Sequence, residues 1–334
     1  MAQDFRMSKM QARDIAQAVD LWVEQYKRYC GGSRSFPRNW IKNTGAIEGY
    51  LSEKVEDGIA FALKSGDALF GYITYDEFPF HGEDAAFCPP LAHAAVEEYK
   101  EAAYLALYRR VSKIWVDKNI LSHMFIIFYH DARLRCLLYD LGFGSYLVDA
   151  FACANDRMGV HSAYTIRRAG PQDAEALCGL VEESREFYRK APIFLARESF
   201  SQEDILNILQ KNTVYMAWEA HGAIGFLQMG VSHGDNTIEL SEKGGGHMDG
   251  IGVYIQAEYR GKGVGRELLR HAMDDCIGRG IERIHVDFET ANPFANKFWR
   301  KYFDPMLLSV RRTIPKDINH SMEAMPGGQA FATK

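Results

Sequence analysis

The sequence lacks several features that would define its class at once. Its 334 residues contain no run of about 18 apolar residues, so we expect no membrane-spanning helix. The first residues carry no apolar stretch typical of a signal peptide, and the six cysteines form no CxxC pair. We therefore expect a cytoplasmic protein with reduced thiols and without a bound metal.

An excess of positive charge is also missing. Lysine and arginine number 39 against 44 aspartates and glutamates, and the formal net charge is −5. Nucleic acid is therefore not expected as a partner, because it recruits basic patches. Without an apolar run that could span a membrane, no membrane partner is expected either. The hydrophobic fraction of 47% and the length instead indicate a globular protein of two domains.

The two halves of the chain share one arrangement of predicted elements. Residues 62–73 and 216–227 each predict two strands joined by a tight turn, with Gly71 and Gly225 at equivalent places. Residues 123–143 and 283–303 each predict a buried strand followed by a helix. This favours duplication of a whole domain, although two generic α/β halves could also match by chance.

Polar stretches mark the predicted boundaries. The segment 156–162 separates the halves, and the sequence after Pro315 is polar and glycine-containing. We therefore predict domains at 1–158 and 163–314, followed by a flexible tail at 315–334.

Three alternate glycines form the most informative segment. Gly261, Gly263 and Gly265 lie where a β-branched strand passes into a helix whose apolar stripe starts at Val264, and they are interleaved with basic residues. Glycines let backbone N–H groups converge on an anion, and a helix N-terminus adds partial positive charge. The segment predicts a phosphate or pyrophosphate site, with a purely structural turn as the alternative.

Two other phosphate loops do not fit. A dinucleotide fingerprint that starts at Gly261 would need glycine where Arg266 stands. A Walker loop needs serine or threonine after the Gly-Lys pair, but Gly263 stands there.

The pattern Arg260-x-x-Gly263-x-Gly265 resembles the acetyl-CoA signature of the GNAT (GCN5-related) N-acetyltransferase superfamily, and the resemblance covers residues 164–313. It implies an α/β fold (an α+β mixed sheet): two tandem GNAT-like domains, each a splayed mixed sheet flanked by helices. It also implies acetyl-CoA as co-substrate. The residues that it assigns to the coenzyme are Val253, Tyr254, Ile255, Arg260, Gly261, Lys262, Gly263, Val264, Gly265, Asn292 and Phe298.

The first half lacks this loop. Its corresponding stretch, residues 85–94, has no glycine and two prolines, which remove N–H donors. We therefore expect a degenerate copy that does not bind the coenzyme and that supports the fold or shapes the substrate cleft.

Acetyl transfer to an amine needs a base that takes the amine's proton and a hydrogen-bond donor that stabilises the oxyanion. It also needs a proton for the leaving thiolate. Asp249 matches the position of the base in histone-acetylating relatives, although a solvated strand-end aspartate is an equal reading. Asp287, Glu289 and His247 are weaker candidates for the base.

The acid is less clear from the sequence. Many relatives carry a tyrosine where this chain has Phe298-Trp299, and an indole is no useful acid. Tyr302, one turn further on, is the candidate, and departure of the thiolate without a protein acid is the alternative.

The sequence thus predicts an N-acetyltransferase in which a primary amine attacks directly in a ternary complex. The alternative is an acyl-CoA sensor without turnover. The acceptor, a small molecule or a peptide amine, stays open, as do the acyl group and the oligomeric state.

Overall fold

The computed structural model describes residues 5–156 and 164–318, which form two compact units. Within these residues the first unit takes in 5–29, 40–146 and 308–318, and the second takes in 30–39 and 147–307. Each unit therefore takes in more than one stretch of the sequence. The boundary predicted at 158–163 and most of the predicted tail lie outside the described residues.

The first unit contains helices on two groups of strands. Strands β1 (Arg6–Lys9), β2 (Phe61–Ser65), β3 (Ala68–Ile73) and β6 (His93–Ala95) form one antiparallel sheet in that order. Strands β4 (Asp76–Phe80) and β5 (Glu83–Cys88) form a hairpin, and β5 pairs in parallel with β7 (Ser122–Phe128). The helices are α1 (Ile15–Cys30), α2 (Asn39–Lys42), α3 (Gly45–Glu56), α4 (Lys100–Asp117) and α5 (Ala132–Asp140).

The second unit is built on a mixed sheet. Its strands follow the order β8 (Gly144–Cys153), β14 (Arg283–Glu289), β12 (Gly246–His247), β11 (Gly222–Val231), β10 (Thr213–Glu219) and β9 (Thr165–Arg168). β12 and β14 run parallel, and the other pairs are antiparallel. β13 (Val253–Ile255) pairs with β11, and β15 (Asp304–Thr313) follows helix α9 (Pro293–Trp299).

Helices with one apolar face cover this sheet. α6 (Ala174–Arg189) and α7 (Gln202–Lys211) share a buried cluster with β10 and β11 that includes Leu177, Ile205 and Phe226. α8 (Val264–Gly278) buries Leu268, Leu269 and neighbouring apolar residues. These contacts confirm the mixed α/β fold and both predicted hairpins. Among the described residues no helix is both long and apolar enough to cross a membrane.

A buried ion pair stabilises the first unit. Lys100 is fully buried, and its Nζ lies 2.6 Å from Asp131 Oδ2 and 2.6 Å from Glu97 Oε2. Asp131 also begins helix α5, because its Oδ1 accepts a hydrogen bond from the Leu134 N–H at 3.0 Å. The Lys100 ammonium and the Asp131 carboxylate therefore each have a second partner besides the other.

Replacing Lys100 with methionine (K100M) should destabilise the protein by about 3–5 kcal/mol, because Asp131 would remain buried without its cation. The measurement is denaturant unfolding followed by fluorescence. Lys113→Met, at an exposed pair with Asp117, is the matched control and should barely change the unfolding midpoint. Equal effects of the two variants would contradict this account of Lys100.

Candidate functional site

The sheet of the second unit parts beside β13. β12 pairs with β14 on one side and β11 on the other, but further along the chain β13 pairs with β11 alone among the described residues. The pairing of β13 with β11 brings Gly225 so close that a Cβ there would lie 2.8 Å from the Tyr254 carbonyl oxygen. One edge of β13 is thus left without a neighbouring strand.

The backbone groups at this edge belong to Val253 and Ile255. The Gly252 carbonyl accepts from Gln228 N–H, and Gln256 N–H donates to the Ile224 carbonyl, so both face β11. Since backbone groups alternate along an antiparallel strand, those of Tyr254 also face β11. The N–H groups of Val253 and Ile255 point the other way, into the gap.

The loop after β13 has the backbone of an anion cradle. Gly261 and Gly263 have φ angles of 74° and 97°, in the left-handed region that glycine adopts without strain. A Cβ on Gly261 would meet open space, so this part of the loop is accessible. The first helical hydrogen bond of α8 is donated by Glu267, which leaves the preceding N–H groups of its first turn without a helical acceptor.

The third glycine of the loop has a different role. A Cβ on Gly265 would lie 2.9 Å from Ile255 Cδ1 and 3.2 Å from the Phe298 ring. Gly265 therefore allows the first turn of α8 to pack directly against β13 and α9. The Phe298 ring in turn contacts the ring of Tyr302, with centroids 5.2 Å apart.

The two basic residues of the loop differ in their surroundings. Arg260 Nε donates to the Ile255 carbonyl at 3.0 Å, and its guanidinium lies 4.1 Å from the centroid of the Phe187 ring. Arg260 thus holds the end of β13. Lys262 is exposed, with its ammonium 5.5 Å from the Tyr259 ring, and it remains accessible to an anion.

Asn292 begins helix α9. Its side chain is buried, and its Oδ1 accepts a hydrogen bond from the Ala295 N–H at 3.2 Å. This capping role accounts for the asparagine, because the cap fixes the start of the helix that carries Phe298. The described contacts of Asn292 do not themselves point to a coenzyme.

The Asp249 carboxyl is paired with an imidazole. Asp249 Oδ2 lies 2.8 Å from His247 Nδ1. Burial alone would raise the pKa of Asp249, but His247 outweighs it and lowers this pKa. Gly230 makes room for the imidazole, because a Cβ there would lie 2.3 Å from His247 Cε1.

Around this pair lies a larger group on one face of the sheet, the acid–imidazole cluster. Register places His247 beside His285, and Asp149 beside Asp287, on neighbouring strands. Strand alternation puts Asp287 and Glu289 on the face of His285. The cluster consists of Asp149, Glu239, His247, Asp249, His285, Asp287 and Glu289.

Sequence reasoning missed three members of the cluster: Asp149, Glu239 and His285. The alternation along 283–289 was a signal for His285. Asp149 gave none, because it lies on β8, which is distant from β14 in the sequence and joins it only through strand pairing.

His285 is a buried cation in the cluster. Its Nε2 lies 3.1 Å from Asp149 Oδ1, and its Nδ1 lies 3.7 Å from Glu239 Oε2. Burial opposes the charge, but the carboxylates of Asp149 and Glu239 together raise the pKa of His285 to about 9.

Asp287 and Glu289 lie on β14, on the same face as His285. Asp287 is accessible to solvent, yet the protein atoms around it and the nearby Asp149 carboxylate raise its pKa to about 7. Burial likewise raises the pKa of Glu289, against the effect of Arg197. A carboxyl that is both accessible and desolvated is suited to meet a ligand.

Trp299 ends α9 and Tyr302 follows it, and the two side chains differ in exposure. Trp299 is buried, whereas Tyr302 is half-buried and rests against the Phe298 ring. Among the described residues no hydrogen bond or ion pair joins Tyr302 to Asp249, the two predicted catalytic residues.

The matching stretch of the first unit has no such cradle. Residues Pro90–Ala92 form a buried 3₁₀ turn. Its Pro90 carbonyl accepts from Trp22 Nε1 at 2.7 Å, and its Leu91 carbonyl accepts from the Tyr72 hydroxyl at 3.0 Å. The turn is thus packed inward.

Comparison with known proteins bears on the second unit above all. The acetyltransferase (GNAT) family model matches residues 179–304. No curated protein matches the sequence.

Solved structures show a similar fold at low identity. A GCN5-related N-acetyltransferase from Sphaerobacter thermophilus is 12% identical with a TM-score of 0.56, over 94% of this chain and 97% of that one. A GCN5-related glucosamine N-acetyltransferase region of a fungal multi-domain GH3 β-N-acetylglucosaminidase is 11% identical with a TM-score of 0.50, over 93% of this chain and 38% of that one.

Asp149→Asn should lower the pKa of His285 below its ordinary 6.5. Burial lowers this pKa, and the Asp149 carboxylate, which raises it most, would be gone. Since the folded pKa of about 9 exceeds the unfolded value, the pair stabilises the protein fully below pH 6.5 and ceases to do so as pH rises through 9. The wild type should therefore lose stability over this range, and the variant should not.

Ring ¹⁵N NMR and thermal unfolding against pH provide the two measurements. His93, whose pKa burial lowers to about 4, is the internal control and should titrate identically in both proteins. A His285 that titrates near 6.5 in the wild type would contradict the assignment.

Proposed function

The carboxyl-terminal half of the chain belongs to the GNAT acetyltransferase superfamily, and from that premise we propose that the protein transfers an acetyl group from acetyl-CoA to a primary amine. The observation that carries the proposal is the glycine loop at the mouth of a parted sheet. An accessible loop, a helix N-terminus and an unpaired strand edge occur there together.

The coenzyme would lie along β13 and the loop. The backbone N–H of Val253 would donate to an amide carbonyl of its pantetheine arm, alongside the intervening Tyr254, and the N–H of Ile255 would face the thioester. The loop from Gly261 through Lys262, Gly263 and Val264 would hold the pyrophosphate, since its N–H groups and the α8 dipole both favour an anion. Gly265, Phe298 and Asn292 would support this loop by packing and capping, and Arg260 by fixing the strand end.

Bound acetyl-CoA supplies a thioester: the amine nitrogen bonds to its carbonyl carbon, the C–S bond breaks, and CoA leaves as a thiolate in a single ternary complex. The Ile255 N–H, which faces the gap, would stabilise the oxyanion. Tyr302 would donate its hydroxyl proton to the thiolate and regain one from solvent.

Two carboxyl groups could take the proton of the attacking amine. Asp249 lies on the chain segment that leads into β13, and we propose it as the base, acting through a water molecule. The lowered pKa of Asp249 makes it a weak base, whereas the pKa of Asp287, raised to about 7, is better matched to proton transfer near neutral pH.

A second function, binding of acyl-CoA without turnover, is favoured by one observation. The buried indole of Trp299 occupies the place where the resemblance implies a tyrosine acid. Release of CoA from acetyl-CoA in the presence of an amine, followed with a thiol reagent, would decide against the sensor.

For the first unit we propose a supporting role without coenzyme. Its packed turn at Pro90–Ala92 supports this, because the turn offers no open backbone N–H groups to an anion. The predicted cytoplasmic location and the division at 1–158 and 163–314 stay predictions.

Gly263→Val should weaken CoA binding by more than about tenfold, because a β-branched residue at a φ of 97° is strained and would shift the loop. Isothermal calorimetry with CoA measures the effect. Gly278→Ala, where a Cβ meets open space at the end of α8, is the control and should bind normally. Unchanged affinity in Gly263→Val, with the fold intact by circular dichroism, would overturn the coenzyme site.

The base is identified by kcat at saturating amine against pH. If Asp249 is the base, Asp249→Asn should lower kcat by about 10²–10⁴-fold. The wild-type kcat should then show no rise near pH 7, because the pKa of Asp249 is lowered. If Asp287 acts, kcat should rise as the pH passes about 7, and Asp287→Asn should abolish that rise. Tyr302→Phe in the same assay tests the acid, and an unchanged kcat would remove it from the mechanism.

A further inference from the structure

The acid–imidazole cluster carries more negative charge than its cations balance. It holds five carboxyl groups (Asp149, Glu239, Asp249, Asp287 and Glu289) and two imidazoles. Each imidazole already has a carboxylate partner: His247 contacts Asp249 at 2.8 Å, and His285 contacts Asp149 at 3.1 Å. Even with both rings protonated, the carboxyl groups are in excess.

Basic side chains do not make up this difference. In the described part of the chain, no lysine or arginine forms an ion pair with Asp149, Glu239 or Asp287 within 4.0 Å. Arg197 acts only on Glu289, at the edge of the group. Most of the excess negative charge is therefore not balanced by described side chains, and Asp287 is exposed to a ligand.

A buried oxygen atom gives an independent sign of a ligand. Asp149 is only 2% exposed, and while its Oδ1 contacts His285, its Oδ2 has no hydrogen-bond partner among the described residues. Asp149 stands directly opposite Asp287 in the pairing of β8 with β14, so both side chains project from the same face. An unpaired buried carboxylate oxygen is costly unless a donor satisfies it.

We propose that the acid–imidazole cluster binds a second ammonium group of the acceptor, which makes the acceptor a diamine or a longer polyamine. This rests on the proposed acetyl transfer to an amine. One amino group loses its proton beside Asp249 and is acetylated. The other stays charged and donates to Asp149 Oδ2, with Asp287 and Glu239 close by.

Electrostatics support the same ligand. Burial first, and neighbouring carboxylates after it, raise the pKa of Glu239 and of Asp287, so the repulsion between carboxylates adds to the cost of burying them. A bound ammonium would relieve this repulsion, whereas a carboxylate on the acceptor would add to it. Amino acids should therefore be poor acceptors.

Calorimetry with the full-length protein in the presence of CoA tests the subsite without any transfer step. The probes are diaminoalkanes of increasing length, each compared with the alkylamine and the ω-amino acid of the same length. The best diaminoalkane should bind at least about tenfold more tightly than its alkylamine, as expected of a charge-assisted hydrogen bond, and the ω-amino acid should bind most weakly.

Glu239→Gln and Asp149→Asn should each remove most of the diamine advantage and leave alkylamine and CoA affinities unchanged. Glu219→Gln makes the same charge change at an exposed residue of β10, outside the cluster, and should keep the advantage. Two variants are used so that poor folding of one does not decide the result.

Equal affinity for diamines and alkylamines would overturn the subsite, even if acetyl transfer to alkylamines is observed. An equal loss in Glu219→Gln would overturn it too, because the effect would then be one of general surface charge. A diamine preference in a protein that never releases CoA from acetyl-CoA would support the subsite and overturn only the proposed transfer.

Discussion

The separation of β13 from β14 is the constraint on which the proposed site depends. A strand with neighbours on both sides uses all of its backbone groups in the sheet. β13 has a neighbour on one side only among the described residues, so the N–H groups of Val253 and Ile255 are available to a ligand. Gly225 makes the pairing on the other side close, and Arg260 secures the carbonyl at the end of the strand.

The separation of β13 from β14 also places the acid–imidazole cluster next to the open edge of β13. The chain leaves β12 at His247, passes Asp249 and enters β13, so the acid–imidazole cluster lies directly before the edge that would bind the coenzyme. The cluster gathers ionisable groups at high density, and their pKa values spread apart: Asp249 is lowered, while Asp287 and His285 are raised. Such divergence is typical of functional sites, although structural ion pairs also produce it.

Local patterns predicted a good part of this arrangement. The hairpins at 62–73 and 216–227, the strand at 283–289 and the start of α8 at Val264 all follow from alternation, helical periodicity and glycine placement. The sequence also predicts the loop glycines, and the structure shows that they have different roles. Gly261 and Gly263 supply positive φ angles, whereas Gly265 and Gly225 provide room for close packing.

The sequence by itself determined the mixed α/β class and the position of the glycine loop, because these depend on residues close together in the chain. Only the tertiary structure decided which charges meet. Asp149 and Glu239 reach His285 through strand pairing and loop packing, and no periodicity within their own segments encodes those partners.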